Sequence, residues 1–66
     1  MKIVVNGEPK EVPLGLSLQR LIEHLEIPTE RVAVELNLDV VPKAKWPEVD
    51  VKEEDKLEII HFVGGG

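Results

Sequence analysis

Three consecutive glycines, Gly64, Gly65 and Gly66, end the chain directly after the apolar run 57–63. Glycine has no Cβ, so such a segment can lie extended in a channel too narrow for other residues. Three extended residues span at most about 10–11 Å, enough to carry a carboxylate from a domain surface into a partner's active site. We therefore predict a flexible tail at 64–66 with Gly66 as the functional residue. A frayed terminus or a cloning remnant is the alternative.

The length and charge of the chain narrow the classes of function. Sixty-six residues predict a single domain over 1–66 with a thin core and no deep catalytic cleft, so we expect partners, not this chain, to supply catalysis. Thirteen acidic and eight basic residues give a net charge of −5, which disfavours nucleic-acid binding.

The absence of cysteine excludes a disulfide, a thiol nucleophile and a cysteine-ligated zinc site. No apolar run approaches the roughly 20 residues that cross a membrane. We expect a cytoplasmic protein without a membrane anchor, a cofactor or a metal ion.

The first half of the chain predicts a hairpin followed by one helix. Met1, Ile3 and Val5 alternate with Lys2, Val4 and Asn6 in the period of a strand, and Asn6-Gly7 is a strong turn signal, so a β-hairpin is expected over 1–13. Ser17 is a suitable helix N-cap, and Pro28 is expected to stop the helix. The helix presents one apolar face, made of Leu18, Leu21, Ile22 and Leu25.

The second half predicts three strands and little further helix. Alternation predicts a strand over 32–36, a turn at 37–39 and a short strand at 40–41. The lone Trp46 is expected to lie over the edge of the core. A charged turn then precedes a last strand over 56–63.

The element order predicts an α+β fold. One amphipathic helix needs one sheet to cover its apolar face, and the first and last strands can then lie parallel in the middle of that sheet. This arrangement is a ubiquitin-like β-grasp, a mixed four- to five-stranded sheet packed on one main helix.

Strand alternation also predicts which residues face away from the helix. If Leu57 and Ile59 face the helix, His61 lies at the core margin near the tail, and a patch on the opposite face is open to partners. The alternative is that Phe62 folds back onto the domain. The residues predicted to bind partners are Val4, Glu58, Ile60 and Phe62, with Ala33 on the same face.

Four segments of the chain together match a known family. They are Asn6-Gly7, Val34-Glu35-Leu36-Asn37, Val41-Pro42 with Trp46, and Leu57-Glu58-Ile59-Ile60-His61-Phe62-Val63-Gly64-Gly65-Gly66. With these segments the whole chain resembles the ThiS family, the sulfur carrier proteins of thiamine biosynthesis. Two departures, Glu54-Asp55 and Leu38, lie at predicted turns.

The resemblance implies a specific chemistry at the terminus. An E1-like adenylyltransferase (ThiF-like) would transfer AMP to the carboxylate of Gly66, with Gly64 and Gly65 threaded into its active site. Sulfur drawn from cysteine by a desulfurase would then give a thiocarboxylate. A thiazole synthase (ThiG-like) would take that sulfur. By analogy with ubiquitin-like proteins, the sheet face described above would dock the activating enzyme.

Several other functions share these features. A sulfur carrier for molybdopterin or for tRNA thiolation would have the same fold and the same glycine end. A ubiquitin-like modifier would use Gly66 to form amide bonds with lysines on its targets. A plain binding domain would keep its function without Gly65 and Gly66.

Overall fold

The structure, a computed structural model, describes residues 1–62. The predictions made for Val63 and for the glycine tail therefore lie outside the described residues. The elements follow the order β1 (Lys2–Val5), β2 (Glu8–Glu11), α1 (Leu18–His24), β3 (Val32–Leu36), β4 (Asp39–Val40), a 3₁₀ helix (Lys43–Glu48) and β5 (Lys56–His61).

The five strands form one mixed sheet in the order β2-β1-β5-β3-β4. The first and last strands are parallel neighbours, with Val5 opposite Leu57. All other neighbouring strands are antiparallel. The predicted ubiquitin-like β-grasp architecture is confirmed, and the strand that leads to the C-terminus lies at the centre of the sheet.

The core lies between the helix and the inner face of the sheet. Fully burying a large apolar side chain stabilises a domain by about 1.5–3 kcal/mol relative to leaving it exposed, so these few residues supply most of the stability of a small fold. From the helix and the sheet, the buried residues are Leu18, Leu21, Ile22, Ile3, Val5, Val34, Leu57 and Ile59.

Helix α1 begins as predicted but ends early. The hydroxyl of Ser17 accepts a hydrogen bond from the N–H of Arg20 at 3.1 Å, which satisfies a donor that the first turn leaves unpaired. The helix ends at His24, because Glu26 adopts a left-handed conformation with φ of 57°. Termination therefore comes from a left-handed residue and not from Pro28.

The prediction for Trp46 was wrong. A 3₁₀ helix over Lys43–Glu48, absent from the predicted elements, packs against α1 and turns the indole inward until it is 1% exposed. Its Nε1–H donates to the carbonyl of Val41 at 3.0 Å. Burial of the whole ring is possible because this bond satisfies its one polar group.

Strand β4 lies one residue earlier than predicted. Asn37 and Leu38 both have positive φ, 52° and 75°, as a two-residue hairpin turn requires. Asp39 is consequently the first residue of the strand and pairs with Leu36, whereas the sequence pattern placed it in the turn.

Candidate partner-binding site

The central strand β5 is the element that connects the fold to the predicted glycine tail. Its hydrogen bonds alternate between its two neighbours. On the β3 side, the N–H of Phe62 donates to Arg31 at 2.8 Å, and the carbonyl of Lys56 accepts from Asn37 at 2.8 Å. Residues with even numbers in β5 therefore point their backbone polar groups toward β3.

The backbone polar groups of the odd-numbered residues of β5 point toward β1, and Asn6 provides the last hydrogen bonds on that side within residues 1–62. Its N–H donates to the carbonyl of Leu57 at 2.8 Å. Its side chain then pairs with the backbone of Ile59: Oδ1 accepts from the N–H at 2.7 Å and Nδ2 donates to the carbonyl at 3.3 Å. The amide of Asn6 thus takes the place of a further residue of β1.

A second asparagine holds the other end of β5. The Oδ1 of Asn37 accepts from the N–H of Lys56 at 3.0 Å, and its Nδ2 donates to Asp55 at 3.0 Å. The two asparagines have similar left-handed φ values. The local sequence pattern indicates Asn6 and Asn37 only as turn residues, because their side-chain partners are 53 and about 18–19 residues away.

We expect Asn6→Gly to lower the free energy of unfolding by about 1–3 kcal/mol, since it removes two hydrogen bonds worth about 0.5–1.5 kcal/mol each. Glycine tolerates the φ of 49°, so the loss reports the side chain alone. Urea denaturation followed by circular dichroism measures it. Asn6→Asp keeps the acceptor but not the donor, so its free energy of unfolding should lie between those of the wild type and Asn6→Gly. A glycine variant as stable as the wild type would contradict this role.

The register places the predicted partner-binding residues on one face of the sheet. Val4 is opposite Lys56 and Ile60 is opposite Ala33, and this face points away from the helix because Ile59 and Leu57 are buried. Val4 and Ala33 are half-buried there.

Two exposed apolar residues of this face lie where β5 ends. Ile60 is 46% exposed and Phe62 is 58% exposed. Such exposure is the opposite of what Phe62 would show if it folded back onto the domain. The partner-binding role of Val4, Glu58, Ile60 and Phe62 stays a prediction. We refer to Ile60 and Phe62 below as the apolar patch.

Two carboxylates lie beside the apolar patch. Glu35 and Glu58 are directly opposite each other on β3 and β5, and like charges in that position destabilise a sheet. The ion pairs found within residues 1–62 involve neither of them. A partner that brings a basic group to this face would relieve the repulsion.

The prediction for His61 was right about its side of the sheet and wrong about its burial. It is opposite Val32 and so has the predicted parity, but its side chain is exposed and does not lie at a core margin. The core stops at Ile59 on this strand, whereas Val32, opposite His61, is still partly buried against that core.

Two kinds of feature are missing from residues 1–62. None of the helices there has both the length and the hydropathy needed to cross a bilayer. No set of three His, Asp or Glu side chains in this range is grouped closely enough to hold a metal ion. The sheet face and the end of β5 are therefore the features that carry a functional proposal.

Comparisons with known proteins agree with this geometry. The chain is 35% identical to a thiamine biosynthesis protein (ThiS) from Geobacter metallireducens, whose crystal structure superposes with a TM-score of 0.88 and full coverage of both chains. It is 36% identical over 50 residues to the sulfur carrier protein ThiS of Bacillus subtilis, covering 76% of each chain.

A longer relative also contains a segment like this chain. The thiazole synthase of Paramagnetospirillum magneticum is 42% identical to it over all 66 residues, which span 20% of the length of that protein. The family model of the ThiS family matches residues 3–66. The chain therefore belongs to the ThiS family.

Proposed function

We propose that this protein is a sulfur carrier of thiamine biosynthesis and that the carboxylate of Gly66 carries the sulfur. The observation that supports this most strongly is the family match, which extends to residue 66 and so includes all three glycines. The central position of β5 adds physical support, because a tail that follows the middle strand is anchored to the most connected part of the sheet.

The chemistry begins by making the carboxylate reactive. A carboxylate oxygen of Gly66 attacks the α-phosphorus of ATP and pyrophosphate leaves, which gives an acyl adenylate. The terminal sulfur of a persulfide then attacks the acyl carbon and displaces AMP. A second thiol cleaves the resulting acyl disulfide, forming a disulfide with the donor and releasing the thiocarboxylate on Gly66.

In this scheme the carrier is a protein cosubstrate, and partners hold the catalytic groups. An E1-like adenylyltransferase carries out the first step and a cysteine desulfurase supplies the persulfide. The domain contributes binding and positioning. The outer face of the sheet suits this role, since the apolar patch provides a docking contact and the Glu35–Glu58 pair favours a partner surface with basic groups.

A thiazole synthase is the proposed sulfur acceptor. The relative from Paramagnetospirillum magneticum carries that name and includes a segment like this whole chain. A carrier and an acceptor that occur in one polypeptide are held near each other, which raises the effective concentration of the thiocarboxylate at the acceptor.

The experiment that tests the function is an intact-mass measurement. The purified chain is incubated with ATP, cysteine, the E1-like protein of its host and a desulfurase. We expect the mass to increase by the difference between sulfur and oxygen, and fragmentation to place the change on Gly66. An unchanged mass, when an established carrier is converted under the same conditions, would overturn the proposal.

We expect Phe62→Asp to weaken binding of the activating enzyme at least tenfold while the circular dichroism spectrum stays native. The substitution removes an exposed apolar contact and adds a negative charge to the face that already carries Glu58, so it alters docking without disturbing the core. Truncating one of the few residues that anchor an interface costs about 2 kcal/mol or more, and about 1.4 kcal/mol is already a factor of ten in affinity. Titration calorimetry measures the affinity.

Leu14→Asp is the matched control for that measurement. Leu14 is also apolar and is 76% exposed, but it lies in the loop between β2 and α1 and not on a strand of the sheet. Its variant should bind like the wild type. Equal losses for the two variants would mean that net charge, and not the apolar patch, governs docking.

A further inference from the structure

Within residues 1–62, the backbone N–H and carbonyl of His61 have no hydrogen-bond partner. The N–H and carbonyl groups of the odd-numbered residues of β5 face β1, but β1 ends at Val5. Beyond that point the side chain of Asn6 bonds to the backbone of Ile59 in place of a strand residue. His61 is the next residue with this orientation. Its N–H and carbonyl point to the side of β1, but the chain turns at Asn6-Gly7 and places no strand residue opposite His61 there.

An open strand edge of this kind is a template for pairing with another chain. The other sheet edges are poorer templates: β2 includes Pro9, which has no N–H to donate, and β4 has only two residues. The edge at His61 is also beside the apolar patch, so a segment that pairs there contacts Ile60 and Phe62 at the same time.

We propose that the activating enzyme adds an extended segment to β5 at His61, on the side that β1 leaves open, and hydrogen-bonds to the N–H and carbonyl of that residue. The proposal rests on the sulfur-carrier function. Its chemical reason is that a glycine tail has no side chains to recognise. Backbone pairing just before the tail would therefore set how far the tail extends into the active site of the enzyme, as strand addition sets the register of a bound peptide.

The test compares His61→Pro with His61→Ala. Both variants lose the imidazole, but only the proline variant lacks the backbone N–H that would donate a hydrogen bond to a carbonyl of the partner segment. That N–H has no partner within residues 1–62, so proline is tolerated there as it is on edge strands. We expect the two variants to have similar melting temperatures.

The readout is the steady-state rate of adenylation, measured by ATP–pyrophosphate exchange at varied carrier concentration. We expect His61→Pro to raise KM for the carrier about tenfold relative to His61→Ala, equivalent to about 1.4 kcal/mol. Equal KM values would overturn this inference alone, since both variants would still be activated. No exchange with the wild-type chain would overturn the proposed function and this inference with it.

Amide hydrogen exchange of the wild-type carrier provides a second test that needs no variant. The amide of His61 should exchange rapidly in the free protein and become protected when the activating enzyme is added, whereas Ile60, which bonds to β3, should be protected in both. Protection of His61 in the free carrier would overturn the proposal, and if that protection grew with carrier concentration the occupant would be a second copy. Rapid exchange in the complex would also overturn it.

Discussion

Gly66→Ala is expected to lower kcat/KM for adenylation about 100-fold or more, and Gly65→Ala is expected to act in the same direction. In the proposed function the tail enters a narrow channel of the activating enzyme, and a Cβ on either residue would widen the tail. A displacement of the reacting group by about 1 Å can cost on the order of 100-fold in rate. The melting temperature should stay near that of the wild type, because short terminal segments contribute little to the stability of most domains.

Gly15→Ala is the matched control for these two variants. Gly15 has a φ of 80° and open space around the position of a Cβ, so alanine there strains the backbone without filling a contact. Its expected effect is a lower melting temperature with unchanged activation. The two kinds of variant should thus separate stability from activity. Normal activation of both tail variants would contradict threading of the tail.

The parts of the fold that follow from short-range pattern were predictable. Asn6-Gly7 indicated the first hairpin, and the spacing of Leu18, Leu21 and Ile22 indicated the face of α1 that is buried. Alternation in β5 correctly oriented Leu57 and Ile59, and with them the outer face of the sheet. Each of these features depends on residues a few positions apart, which is the distance over which helix and strand periodicity operates.

The parts that were missed depend on contacts between distant segments. The side chain of Asn6 is held by Ile59, 53 residues further along the chain, and a turn signal says nothing about that partner. The core also stops before His61, which parity alone does not reveal. For the candidate site, the sequence therefore predicted the face but not the asparagine that shapes its open edge.

Trp46→Ala is expected to remove a large share of the free energy of unfolding of the domain. Replacing a buried tryptophan by alanine costs about 3–5 kcal/mol, and the hydrogen bond to Val41 is lost as well. A chain of 66 residues has a total stability of only about 3–10 kcal/mol. Urea denaturation followed by far-ultraviolet circular dichroism measures the loss, and Trp46→Phe should retain part of the stability by keeping most of the apolar volume.

Phe62→Ala is the matched comparison, since Trp46 and Phe62 are the two aromatic residues of the chain. Phe62 is 58% exposed and Trp46 is 1% exposed, so truncating Phe62 should cost less than about 1 kcal/mol. Its effect should appear in binding of the activating enzyme instead. Similar stability losses for the two alanine variants would contradict the structural role assigned to Trp46. A much larger stability loss for Trp46→Ala than for Phe62→Ala would show that Trp46 stabilises the fold and that Phe62 is free to contact partners.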